Sequence, residues 1–234
     1  NSSNKVSISF AFSSMVNSFQ RTLELTIRAA NETLAQDQLD QSAIEVDQLL
    51  EQLVLDANSE INGRVLFGGN RTLSEPFTVT RDVGTNRITN VTYVGNGGSI
   101  KIPFSATGRI QINIPGDEVY QDTVDVFQMM IGIRDDMEAG NQTNLRDVRL
   151  GELDEAQDQT LLSLARIGAT QNRLESVSNS AQDFVLALQE QLSNKVDADF
   201  AETILQFNVH QSSFESALNA AARVLQNSLL DFIR

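Results

Sequence analysis

The chain offers few groups able to do covalent chemistry. It has one histidine, His210, and no cysteine, which excludes thiol nucleophiles, thiolate metal sites and disulfides. A metal centre or a catalytic triad needs several converging groups, and His210 stands beside Gln211 on a polar helical face. The carboxylates include Asp135-Asp136, Asp154-Glu155, Asp197 and Asp199. Paired acids do general acid–base work only inside a shielded pocket. These pairs fall on helix faces and near breaks, so they read as solvated surface, with Asp197 and Asp199 as helix caps. Gly68-Gly69 and Gly97-Gly98 lack the strand before and the Lys-Ser/Thr after that would build a phosphate loop, and read as turns. No stretch has calcium-loop spacing. The residues thus predict no catalytic, cofactor or metal site, and a protein that is not an enzyme.

Composition narrows the partners. The 234 residues carry 17 Lys and Arg against 31 Asp and Glu, a net charge of −14. That balance argues against nucleic acid and anionic membrane surfaces, both of which select cations. No run of 18 apolar residues is present to form a membrane-spanning helix. Chemistry being absent, the informative content lies in the elements and their faces.

Apolar residues recur at helical spacing in Phe12, Val16, Phe19, Leu23, Ile27, Ala30 and Leu34, then in Leu39, Ala43, Val46, Leu50, Leu53, Ala57 and Ile61. Val6 to Val16 reads as the entry to the first of these helices, and Asn62-Gly63 as the end of the second. From residue 64 to 116 the period changes to two, as in Phe77-Thr78-Val79-Thr80, Arg87 to Tyr93, Ser99 to Ile102 and Arg109 to Ile114. These are strand patterns, and Asn96-Gly97-Gly98 between two of them is a hairpin signal. Helical spacing resumes near Val119, pauses at Ala139-Gly140-Asn141, and restarts with Thr143 or Asn144 as cap. A long seam then runs through Leu150, Leu153, Leu164, Ile167, Leu174, Ala181, Val185, Leu188 and Leu192, read as core. A polar run, Ser193 to Asp197, suggests an interruption before a last helix with Phe200, Ile204, Phe207, Phe214, Leu218, Ala221, Leu225 and Phe232.

The expected fold is therefore mainly α with an inserted small β domain: a long-helix bundle, or rod, plus an antiparallel β tip. The parts are residues 1–63 as N-terminal rod helices, 64–118 as the inserted β domain, 119–193 as returning rod helices, and 194–234 as an amphipathic assembly helix. The first and last parts of the chain must lie side by side, because neither helix stripe is stable alone in water.

Several motifs in this order carry a resemblance. Glu45 to Gly69, with Ala57-Asn58 and Asn62-Gly63-Arg64-Val65-Leu66-Phe67-Gly68-Gly69, resembles the end of the N-terminal rod helices in the flagellin superfamily, in the form of the hook–filament junction proteins (FlgL type). Val91 to Asn96 resembles that family's strand and turn, and Gly168-Ala169 through Asn172-Arg173-Leu174-Glu175 its returning helix. Asp197 to Glu202 resembles the D-A-D-x-A-E signature of flagellin C-terminal arms, and Ser228 to Ile233 the terminal S-L-L-D-Y-[IL]. The resemblance implies a further helix upstream of Asn1, and hence an N-terminally truncated chain. It implies export through the flagellar type III channel, an extracellular place in the bacterial flagellum, and a structural role between the hook-side hook-associated protein and the flagellin filament. The implied partners are copies of the chain in a ring, flagellin, the hook-side protein and an export chaperone. In that bacterial setting the Asn-x-Thr triplets at Asn31, Asn70, Asn90 and Asn141 read as chance.

The seam Phe214, Leu218, Leu225, Leu229 and Phe232 is the candidate assembly interface. Each such side chain contributes on the order of 1.5–3 kcal/mol when buried, before ordering costs. Two other readings are a filament flagellin paralogue and a surface module whose β domain recognises a glycan or host protein. The second is weakened by the few aromatics there, Phe67, Phe77, Tyr93 and Phe104.

Overall fold

The computed structural model describes residues 2–31, 34–105 and 107–232, with the side chains of residues 2–9, 197–199 and 221–232 outside that description. It groups into two units, Asn1–Leu174 and Glu175–Arg234. The protein is mainly helical, with small antiparallel β ribbons.

In the first unit the helices follow from the apolar stripes, except that Ile27, expected on the first stripe, is 51% exposed. α1 (Ser2–Ala29) buries Phe12, Met15, Phe19, Thr22, Thr26 and Ala29, steps of three and four that put all six on one face. The two threonines are tolerated there because each hydroxyl donates to the carbonyl four residues back, Thr22 to Ser18 O at 2.8 Å and Thr26 to Thr22 O at 2.7 Å. α2 (Gln36–Ala57) buries Leu39, Ala43, Val46, Leu50, Leu53 and Ala57 by the same rule. The β segment follows, and then a short helix, α3 (Gly116–Tyr120). α4 (Val126–Glu138) is capped by Asp125, whose carboxylate accepts from Phe127 N and Gln128 N, both at 3.0 Å. It buries side chains on most of its circumference, Met129, Met130, Ile131, Ile133 and Met137 among them, and packs on α2. It is the centre of the unit.

After α5 (Gln142–Asn144) comes one π-helical turn, Leu145–Arg149, which runs into α6 (Leu150–Phe232). Leu153, Ala156, Thr160, Ser163 and Ile167 of α6 are buried. Thr160 Oγ1 lies 3.2 Å from Met15 Sδ, and Gln142 Nε2 donates to Asn31 O at 3.1 Å. The early and late parts of the chain thus lie side by side within the first unit, as the stripes require.

The strands make three separate two-stranded ribbons rather than one sheet. β1 (Glu60–Ile61) pairs with β2 (Arg64–Val65), β3 (Phe77–Arg81) with β4 (Ile88–Tyr93), and β5 (Lys101–Pro103) with β6 (Arg109–Gln111), all antiparallel. Each ribbon is too narrow to stand alone, and the strands share the helical core. Phe67 sits 6.2 Å from Phe12 and 5.4 Å from Tyr120 by ring centroid, and Phe77 lies 5.1–5.2 Å from Tyr93, Tyr120 and Phe127. The β3–β4 ribbon is also tied down by charge. Arg81 pairs with Glu51 of α2, Arg87 with Glu138 of α4, and the buried Arg134 donates to Ile88 O at 2.8 Å and to Asp47 at 2.7 Å.

Four local expectations are corrected. Asn62-Gly63 does not end α2, which stops at Ala57. It is the turn of the β1–β2 hairpin, with φ of 52° and 73°, the left-handed pair that a tight hairpin turn demands. Asn96-Gly97-Gly98 is not a hairpin, since β4 and β5 do not pair. Asn141, rather than Thr143 or Asn144, caps the helical segment that follows it, accepting from Asn144 N at 3.3 Å. The polar run Ser193 to Asp197 does not interrupt α6, and Asp197 and Asp199 lie inside that helix instead of capping one. Lys, Asn and Ser on an exposed face cost a helix little.

Candidate functional site

The residues able to do chemistry do not converge. Asp136 accepts from Arg149 Nε at 2.7 Å and from Asn144 Nδ2 at 2.6 Å, and Asp135 from Arg134 Nε at 2.9 Å. These are structural pairs. Asp154, Glu155 and His210 are exposed. Among the described residues no group of three His, Cys, Asp or Glu is placed to hold a metal ion. No described helix is long and apolar enough to cross a membrane.

The glycine pairs serve close backbone packing. A Cβ on Gly69 would fall 1.8 Å from Asn96 O, and one on Gly98 2.3 Å from Asn70 Nδ2. Asn96 Oδ1 accepts from Asn70 N at 2.8 Å and Gly98 N at 3.2 Å. Asn113 Nδ2 donates to Gly69 O at 3.2 Å and Gly98 O at 2.8 Å. Gly68-Gly69 and Asn96-Gly97-Gly98 therefore form two sides of one amide-bonded loop cluster.

What remains is the surface of the second unit. α6 there presents apolar side chains with no core over them. Phe214 and Leu218 of the candidate interface are 66% and 55% exposed. Leu225, Leu229 and Phe232 lie outside the described side chains. The exposed set is larger than the sequence suggested. Val185, Leu188 and Leu192, read as core, are exposed, as are Phe184, Leu186, Phe200, Ile204 and Phe207. Leu174, at the end of the first unit, is also exposed. The core reading of the seam holds for Leu153 and Ile167 and fails for Leu164 and for Leu174 to Leu192. Periodicity identifies a face but not what covers it. The described part of α6 beyond Leu174 thus carries a long uncovered apolar surface.

The helix carrying this surface is a recognised one. Residues 150–233 match the model of the bacterial flagellin C-terminal helical region. With the helical bundle and ribbons described above, the likeness is to the flagellin superfamily. It is similar to flagellar hook-associated protein 3 of Escherichia coli K12, at 25% identity over 232 residues, covering 89% of this chain and 70% of that protein. Among solved structures, flagellar hook-associated protein 3 of Legionella pneumophila superposes with a TM-score of 0.69 at 15% identity, covering 82% of this chain and 93% of that one. FlgL of Bacillus cereus gives 0.63 at 22% identity, with 80% and 87% covered. The likeness to the solved structures is one of fold. The match over residues 150–233 and the curated relative support a flagellar structural protein.

Proposed function

We propose that this chain is a subunit of the junction between the hook-side hook-associated protein and the flagellin filament, joined to its neighbours through the apolar face of its C-terminal helix. The observation that carries this reading is the run of exposed Phe, Leu, Ile and Val on α6 beyond residue 174. An apolar face of that length buries against helices of similar kind, either in neighbouring copies or in flagellin. The candidate contacts are Phe214 and Leu218 together with Leu225, Leu229 and Phe232. The Legionella pneumophila FlgL is described as a flagellar junction protein, which supports the same place for this chain. Passage through the type III channel, an export chaperone and an extracellular position belong to the proposal. So does a purely structural role without catalysis.

Complementation tests it. The full-length gene, placed in a strain of its own species lacking the native copy, is expected to restore filaments to cells that shed flagellin into the medium. Continued shedding despite export of the protein overturns the proposal. Incorporation along the whole filament would instead identify a flagellin paralogue. Glycan-array binding without co-assembly would identify a surface recognition module.

A further inference from the structure

The pair Asn-Gly occurs twice, as Asn62-Gly63 and Asn96-Gly97. In such a pair the glycine nitrogen can attack the asparagine side-chain carbon, because glycine has no Cβ to crowd the approach. The structure treats the two pairs oppositely. Asn96 is held. Its Oδ1 accepts from Asn70 N at 2.8 Å and Gly98 N at 3.2 Å, and its carbonyl accepts from the Tyr93 hydroxyl at 3.1 Å. Swinging its Cγ onto Gly97 N would break both bonds to Oδ1 in a closely packed cluster. Asn62 and Gly63 are exposed, and neither the Asn62 amide nor the Gly63 N–H has a partner among the described residues. A Cβ on Gly63 would meet nothing within 4 Å. The flanking strands are two residues each, Glu60–Ile61 and Arg64–Val65, so little pairing opposes rotation out of the left-handed turn. The Asn-Ser pairs are shielded. Asn17 and Asn179 lie within α1 and α6, and both ends of the Asn58 amide bond the Phe77 backbone at 2.9 Å.

We propose that Asn62 is a site of spontaneous covalent modification, conversion to aspartate and isoaspartate, from which the fold protects Asn96. Gly63 N gives up its proton to solvent hydroxide and bonds to Asn62 Cγ. The Cγ–Nδ2 bond breaks, and ammonia leaves with a proton taken from water. Water then opens the five-membered imide. Attack at the side-chain carbonyl gives aspartate. Attack at the backbone carbonyl gives isoaspartate, whose main chain runs through the side chain and gains a methylene. Either product adds a negative charge, and no oxidant or reductant is needed. A two-residue turn cannot take up the extra carbon and keep Ile61 opposite Arg64. The isoaspartate form therefore loosens β1–β2 and the bond beyond it, Leu66 N to Ser59 O at 3.1 Å. The inference is independent of the junction reading, since any long-lived copy of the chain accumulates the change.

The test incubates the full chain in mildly alkaline buffer, folded and in concentrated guanidinium chloride. Proteolytic mapping with mass spectrometry follows the two Asn-Gly peptides, with aspartate and isoaspartate products separated by chromatography. The protection of each site is its unfolded rate divided by its folded rate, which removes the effect of local sequence. Protection of Asn96 is expected to exceed that of Asn62 by about tenfold or more. A smaller or reversed ratio overturns the proposal. So does an Asn62 that stays intact in the folded chain while the unfolded chain converts. Hydrogen exchange at Leu66 is expected to be about tenfold faster in the isolated isoaspartate form than in Asn62→Asp, which has the same charge and no added methylene. Equal exchange in the two overturns the proposed effect on the hairpin.

Discussion

Gly63 and Gly69 share a left-handed backbone, with φ of 73° and 66°, but differ in surroundings. A Cβ on Gly63 meets nothing within 4 Å, whereas one on Gly69 would overlap Asn96 O. Gly63→Ala should cost about 1 kcal/mol, the backbone contribution alone. Gly69→Ala should cost on the order of 3 kcal/mol or more, because strain is added to a backbone clash. Urea titrations of the two variants measure the difference. The same residues show where sequence reading stops. Asn-Gly satisfies a helix terminus and a tight hairpin turn equally well. Only the pairing of Glu60 with Val65 and Ile61 with Arg64 decides between them, and that is not a property of the dipeptide. The two tyrosines, in a chain without tryptophan, give a second prediction. Burial pushes both phenols up from the ordinary value near 10. Tyr120 is the extreme case, fully buried with no hydrogen-bond partner for its hydroxyl. The unfolded chain ionises first. The stability linked to the neutral phenols is thus complete below about pH 10 and is lost as pH rises through the raised folded values. Tyrosinate absorbance should therefore appear together with the loss of helical circular dichroism. Titration of both phenols while the helices persist would contradict this.

At the scale of elements, the stripes of α1 and α2 were legible because one face of each packs on a single continuous core, and period alone reports that. The strand segments were legible for the same reason, but their partners were not. Asn96 bonds Asn70 and Gly98 through a side chain, and no local pattern encodes such a contact. Gln159 of α6 was missed for the same reason. Its amide oxygen accepts from Thr123 N at 2.8 Å and Val124 N at 3.0 Å, and its nitrogen donates to Val119 O at 3.0 Å. It fastens the segment between α3 and α4 onto the long helix, from a buried position where glutamine is rare. Gln159→Leu leaves two backbone N–H groups without a partner and should cost on the order of 2–4 kcal/mol, read from thermal melts. The second unit calls for the opposite outcome. Among the described residues, the last α6 side chain in the buried core cluster is Ile167. A chain ending at Val196 should show the same circular dichroism melting transition as the full chain. Collapse of the fold on removing residues 197–234 would assign that helix to the core and defeat the assembly reading.

For the whole molecule, folding and association are carried by different residues. Phe214→Ser with Leu218→Ser should leave the melting transition within about 0.5 kcal/mol of the parent, as expected for exposed positions. The same pair should weaken co-assembly with flagellin or with further copies, measured by sedimentation. A lowered melting temperature would show that the two side chains stabilise the monomer. This division also explains why half of the candidate surface was invisible in the sequence. Leu188 and Leu192 belong to the same apolar seam as Leu153 and Ile167, and only packing separates them. The wide turn at Leu145–Arg149 governs how such a chain can be spliced. Removing one residue there would turn Leu153, Ala156 and Thr160 by about 100° relative to α4 and bring polar neighbours inward. Chimaeras with related subunits must therefore cross over on one side of that turn and inherit it intact, whatever the match between the helices being joined.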